Sequence, residues 1–410
     1  MRRMSSHHSI TRCYLDYAAA TPVRAEVRDL MVQHLTETYG NPSAIHAEGV
    51  QAKTLLTTAR KKVATSAKIR PEGVIFTGSG TESNNLAIIG VIEALCAAGR
   101  VYTDMEIVST KIEHPSVLQT LSALEKKGVI IRYTPLTETG LIDHTQLHAQ
   151  LSPKTVLCTC AYVNSEIGVV QPLRAIARIL QSYNRAQGTH ILFHTDAAQA
   201  PLWLTCQLEP LGVDLLSVDA GKCYGPKGVG MLLMRGKVPL VSVLHGGSQE
   251  AGLRPATENV PSIVGAAEAF ALAQSEYATV REQVAQLRDE TIARLETLPS
   301  VIINGDRVQR VANNINISLL GYDSEYAVIS LDAAGVACST RSACAGADGG
   351  GSTVVQAVYG DQARAHSTIR FSLGVDTTKA ELAQLPHLLS AFMEQQAPYQ
   401  NQSSTQQDEL

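Results

Sequence analysis

The residue to begin with is a lysine at the end of an apolar strand. In DLLSVDAGKCYGPKGVG (214–230) a buried strand pattern runs into small residues, and Lys222 stands at the turn. Most lysines are solvated surface charges. One that follows a buried strand and precedes a GPKG turn is aimed into the protein. A desolvated lysine loses its proton readily, and a neutral amine is what imine formation with an aldehyde requires. HTDAAQ (194–199) ends another buried strand and sets Asp196 26 residues before Lys222, one strand–helix–strand step. A carboxylate at the C-terminal edge of a parallel sheet is costly without a cationic partner. A protonated pyridine nitrogen is such a partner, and the pairing keeps the ring an electron sink; a helix N-cap is the plainer reading of the same aspartate. FTGSGTESNN (76–85) leads from a strand through Gly78, Ser79, Gly80 and Thr81 into a helix. The first N–H groups of such a helix, with the Thr81 hydroxyl, can cradle a phosphate. An aldehyde, a pyridine and a phosphate together describe pyridoxal 5'-phosphate (PLP), carried on Lys222.

These groups need a scaffold that brings strand ends together, and the pattern provides one. Residues 74–77, 106–109, 129–133, 155–161, 191–195, 213–218 and 229–234 read as strands, several of them apolar throughout. That is the signature of strands buried on both faces. Helical patterns at 82–98, 115–126 and 173–187 lie between them. The alternation predicts a mainly parallel sheet with helices on both faces. After about residue 258 the character changes: a long helical pattern at 261–298, a strand at 313–319, a helix at 323–334, a Gly-rich stretch at 345–352, a strand at 368–373 and a last helix at 377–394. This predicts a large α/β domain over 25–260 and a smaller α+β domain over 261–394. Residues 1–24 form an arm that packs with the small domain. The Gln- and Ser-rich tail, 395–410, is predicted to be disordered.

The chain has 410 residues, 45% of them apolar and 18% charged, with a formal net charge of −4. That balance points to neither nucleic acid nor an anionic membrane as a partner. No apolar run approaches the ~20 residues of a membrane span, and the basic N-terminus lacks the apolar core of a secretory signal. The eight cysteines are scattered through apolar or mixed segments. Most are expected to be reduced and buried, with the cytoplasm as the default location. Cys158 and Cys160 alternate in a strand pattern and are expected to face the core, not a metal.

With these segments in hand, the chain resembles the cysteine desulfurases of the NifS/IscS type, within the aspartate-aminotransferase-like PLP fold. The likeness runs from about Tyr14 to His387. It rests on YLDYAAATP (14–22), GNPSAIH (40–46), FTGSGTESNNLAI (76–88), EHPSV (113–117), VNSEIGVVQP (163–172), HTDAAQA (194–200), GKCYGPKGVG (221–230), GGSQEAGLRPATEN (246–259), STRSAC (339–344) and AHSTIRFSLG (365–374). The resemblance implies roles at matching positions. Lys222 would hold the cofactor covalently, Asp196 would face the pyridine nitrogen, and Gln199 would contact the phenolic oxygen. His114 would stack on the ring and move protons, as an imidazole near neutral pH is suited to do. Gly80 and Thr81 would hold the phosphate. Thr257 would reach the phosphate of a neighbouring subunit, which implies a homodimer. Asn41, Asn164 and Arg370 would bind the substrate carboxylate. Arg370 also invites that reading directly, because an arginine among apolar residues needs a fork-shaped anion; a structural ion pair is the alternative.

Cys344 separates the possible reactions. It lies in STRSACAGADGGGS, among small residues that cannot pack rigidly. A free cysteine is a few per cent thiolate at pH 7, and Arg341 nearby raises that fraction. The resemblance implies that Cys344, not Cys338, takes the sulfur of L-cysteine as a persulfide while alanine leaves. The sulfur would then pass to an iron–sulfur scaffold or thiolation carrier. No metal site is expected beyond a transient cluster contact at Cys344. Selenocysteine lyase, a class-V aminotransferase and a non-catalytic sulfur carrier are the competing readings. The chain departs from the family at Asp219, Ala220 and Gly221, where Ser-Gly-His commonly precedes the lysine. A carboxylate facing phosphate is repelled by about 4 kcal/mol at 4 Å and an effective dielectric of 20. Asp219 is therefore predicted to turn away or pair with a cation. Ala256 stands where glycine is usual before Thr257; if that position needs positive φ, alanine costs about 1 kcal/mol.

Overall fold

A computed structural model describes residues 12–340 and 351–407; Cys344 and Arg341 lie outside the described residues. In chain order the strands are β1 (Cys13–Tyr14), β2 (Val74–Thr77), β3 (Glu106–Ser109), β4 (Ile130–Tyr133), β5 (Thr155–Ala161), β6 (Leu192–Asp196), β7 (Leu215–Asp219), β8 (Gly230–Met234), β9 (Val301–Ile303), β10 (Asn314–Leu319), β11 (Val336–Ala337) and β12 (Thr368–Ser372). Seven of them make one sheet in the order β2-β8-β7-β6-β5-β3-β4. Its pairings are parallel except where β8 meets β7 and β2.

Consecutive residues on these strands serve opposite faces, as the two-residue period demands. Ile75, Ile107, Leu157, Leu192, Leu215 and Leu232 join one apolar cluster. Their neighbours Phe76, Val108, Cys158, Phe193, Leu216 and Leu233 join the other. Both faces are thus covered, which is why the strands read as continuous apolar runs. On the second face the helix Val260–Leu295 packs against Ala25–Glu37 and Ala47–Ala67. Gly265 permits the close approach, since a Cβ there would lie 2.5 Å from Met31 Cγ.

A second sheet, β12-β10-β9, is antiparallel. The N-terminal segment lies against this half of the chain: β1 pairs with β11, and Asp16 bridges to Ser372. The last helices are Lys379–Ala383 and Leu385–Gln407, so the chain stays helical past residue 394, where the Gln-rich tail was expected to lose structure.

Ala256 adopts φ +90°, so the substitution of glycine does carry a backbone cost. We expect Ala256→Gly to stabilise the protein by about 0.5–1 kcal/mol. Equilibrium denaturation checks this; an unchanged or lower midpoint contradicts it.

Candidate active site

The C-terminal ends of β6 and β7 lie side by side, with Asp196 in register with Ser217. The chain leaves β7 through a tight turn, Ala220–Lys222, which carries Lys222 to the same edge of the sheet. There a cavity of about 200 Å³ is lined by Lys222, Asp196, His114, Gln199, Gly80 and Thr81, and by Asn164 and Arg370 opposite. Eight of the expected site residues therefore meet in one place. Asn41 and Thr257 do not: both are exposed and outside the cavity wall. Asn41 caps its own turn by accepting the Ser43 N–H at 2.9 Å.

Asp196 is buried. Its Oδ2 accepts from Asn84 Nδ2 at 2.7 Å and its Oδ1 from the Ala198 N–H at 2.9 Å. Among the described residues no cation pairs with it. A buried carboxylate with hydrogen bonds but no counter-charge, facing a cavity, fits the protonated ring nitrogen of PLP, which would supply the missing charge. Gln199 is fixed by donation to Ala18 O at 2.8 Å.

His114 is the N-cap of the helix Pro115–Lys126 as well as part of the cavity wall. The Ser116 N–H donates to its Nδ1 at 3.1 Å, and the Ser116 hydroxyl lies 2.8 Å from the same nitrogen. Asn84 Nδ2 donates to that hydroxyl oxygen at 2.9 Å, leaving the hydroxyl proton for Nδ1. With Nδ1 an acceptor, the ring proton of neutral His114 is on Nε2. Burial holds the imidazole below its ordinary pKa; Lys222 adds to this, and Asp196 and Asp219 oppose it. Asn84 and Ser116 are functional neighbours that the sequence reading passed over. Their signal was present, since Asn84 lies one helical turn after Gly80 and so shares its face.

Glu113 is fully enclosed beside this histidine. Thr110 Oγ1 donates to its Oε1 at 2.5 Å and the Ala161 N–H to its Oε2 at 2.7 Å. Desolvation first, then the Asp196 charge, push its pKa up to about 8. A carboxyl whose pKa is raised on folding favours the folded state at low pH. That advantage is lost as pH rises from about 4.5 to about 8. Glu113→Gln removes the ionisation; its amide oxygen can accept the Ala161 N–H while its amide nitrogen donates to Thr110 Oγ1, reversing the bond that Glu113 accepts there. Its stability relative to wild type is expected to rise by on the order of a few kcal/mol across that window. Thermal denaturation of both proteins against pH reads this; parallel curves would contradict it.

Arg370 lies midway along β12, an edge strand of the second sheet, and is 1% exposed. Its fork is occupied: one Nη donates to Ser165 O at 3.0 Å and the other to Asp16 Oδ1 at 2.7 Å. The structural ion pair is therefore present, although Nε has no partner among the described residues. Asn164 is likewise tied, donating to Ile112 O and accepting the Glu166 and Ile167 N–H groups. The Arg370 backbone exchanges hydrogen bonds with Ser339, which brings the chain to the cavity wall just before residue 341.

Six of the other cysteines are poor nucleophiles. Burial pushes the thiols of Cys13, Cys158 and Cys338 up to about 11, 12 and 12, and also raises Cys160, Cys206 and Cys223. No cluster of metal-ligating residues occurs among the described residues, nor a helix long and apolar enough to cross a membrane.

Asp219 behaves differently from either expectation. It neither turns away nor pairs with a cation among the described residues; it caps two backbone N–H groups, Gly80 at 3.0 Å and Gly221 at 2.9 Å.

An enzyme class follows from a mainly parallel sheet whose strand ends gather a lysine, an unpaired aspartate and an imidazole around one cavity. Residues 13–385 match the family Aminotransferase class-V. The cysteine desulfurase IscS of Dictyoglomus turgidum is 40% identical over 382 residues, covering 93% of this chain and 94% of its own. A solved NifS-like protein superposes with a TM-score of 0.86 at 31% identity, over 94% of this chain and all of the other. SspA, solved in complex with cysteine, superposes with a TM-score of 0.75 at 31% identity, over 88% of this chain and 99% of that one. The chain belongs to the class-V aminotransferase family, and within it to the PLP-dependent cysteine desulfurases.

Proposed function

We propose that this enzyme converts L-cysteine to L-alanine and moves the sulfur onto Cys344. The observation that carries the reading is the cavity that gathers Lys222, Asp196 and His114 beside the strand where Ser339 leads toward Cys344. The relatives named cysteine desulfurase, and the related structure with cysteine bound, support the substrate.

Lys222 and Asp196 would hold PLP, Gln199 would orient it, and Gly80 and Thr81 would receive its phosphate. Bound PLP supplies an electron sink for the substrate's bonds. Neutral His114 would hold a proton at Nε2 on the cavity wall. Lys222 Nζ would be the base that moves the α-proton. Arg370 Nε offers the unused donor for the substrate carboxylate. The Cys344 thiolate attacks the substrate sulfur: an S–S bond forms, the C–S bond breaks, and its electron pair ends in a C–H bond of alanine. One thiol and one cysteine thus give one persulfide and one alanine, with no external oxidant. The persulfide would then pass to an acceptor protein of iron–sulfur assembly or thiolation.

We further propose an arm over 1–24, a large domain over 25–260, a small domain over 261–394, a homodimer that uses exposed Thr257, and a cytoplasmic location. The test is product analysis with L-cysteine and a thiol reductant. Equal release of alanine and sulfide without added keto acid supports the reading. Turnover that requires a keto acid would replace it with transamination.

A further inference from the structure

Two N–H groups at the start of the helix Gly80–Ala97 are already met by carboxylates of the chain itself, while the Glu82 N–H is capped by the Ser79 hydroxyl. The Gly78 N–H donates to Glu82 Oε2 at 2.8 Å, and the Gly80 N–H to Asp219 Oδ2 at 3.0 Å. The second contact is built by the sheet. Gly230 on β8 lies between Thr77 on β2 and Asp219 on β7. A Cβ on Gly230 would fall 2.3 Å from the Ser79 backbone, so only glycine lets the loop cross there. The crossing delivers Gly80 to the end of β7, where a Cβ on Gly80 would stand 3.1 Å from that of Asp219. Little space separates the carboxylate from the helix start. Glu82 is neutralised by Arg254 at 3.0 Å, whereas Asp219 forms no ion pair among the described residues. Its charge is therefore exposed to whatever enters the cavity it helps to line.

We propose that Asp219 is a competitor built into the phosphate cup. The cofactor phosphate gains the Gly80 N–H only when the carboxylate leaves it, and it meets a like charge while doing so. This enzyme consequently holds PLP loosely and distinguishes it poorly from pyridoxal, which has no phosphate. The inference rests on the cofactor reading of the cavity.

The experiment titrates cofactor-free wild type, Asp219→Asn and Asp219→Ser with PLP and, separately, with pyridoxal. The readout is the visible band of the lysine-bound aldehyde, with circular dichroism as the check on folding. Asparagine keeps an acceptor for the Gly221 N–H, removes the charge and puts an amide donor where the carboxylate accepted the Gly80 N–H. Both variants are expected to bind PLP roughly tenfold or more tighter than wild type, while pyridoxal affinity changes by less than about threefold. Equal changes for the two aldehydes, or folded variants that bind PLP no tighter, would overturn the role of Asp219. No band with either aldehyde in any of the three proteins would overturn the cofactor assignment, and this inference with it.

Discussion

Lys222→Ala is expected to stay folded, lose the visible band of the lysine-bound cofactor, and turn over L-cysteine at least 10²–10⁴-fold more slowly. Lys222 ends a tight turn on the cavity wall, and its side chain forms no hydrogen bond among the described residues. Its removal therefore deletes a reacting group rather than a support. Two functions go together: the covalent hold on PLP, and the base that moves the α-proton. Absorbance and single-turnover kinetics on the same sample check both. A variant that keeps the band would move the attachment to another amine. A variant that lost the band but kept near-wild-type turnover would deny the lysine its role as base.

Cys344→Ala is expected to give the opposite pattern. The protein should bind PLP and L-cysteine with unchanged spectra, yet release neither alanine nor sulfide above background. The ground is chemical. Cleaving the substrate C–S bond as a sulfur transfer requires a thiolate, and six of the described cysteines are held as thiols by burial. Cys338 is the nearest in sequence, and burial raises it to about 12. Cys338→Ala therefore serves as the control and should retain turnover. Sulfide released equally by wild type and Cys344→Ala would assign a lyase reaction with no protein persulfide. Loss in Cys338→Ala instead would transfer the role to that residue.

The strand and helix pattern was legible because apolar side chains repeat with the period of the element that buries them. The stretches expected as strands at 74–77, 106–109 and 155–161 coincide with β2, β3 and β5, and the helices at 115–126 and 173–187 also match. The long early helices Ala25–Glu37 and Ala47–Ala67 went unread. In Ala47–Ala67 the buried stripe is mostly small residues, and in Ala25–Glu37 Val32 and Leu35 are exposed, so neither shows a clear apolar face.

What the sequence determined by itself is the set of candidate reacting groups and the order in which the strands present them. Lys222, Asp196, His114 and Gly80 each follow a strand, and strand ends in a parallel sheet converge on one edge whatever the side-chain details. The tertiary structure alone decided which charges these groups meet. Asp219 reaches Gly80 across 139 positions of chain, Asn84 reaches Asp196 across 112, and Asp16 reaches Arg370 across 354. Hydrogen bonds and ion pairs act over a few ångströms, so the partner of a charge is set by packing and not by distance along the chain.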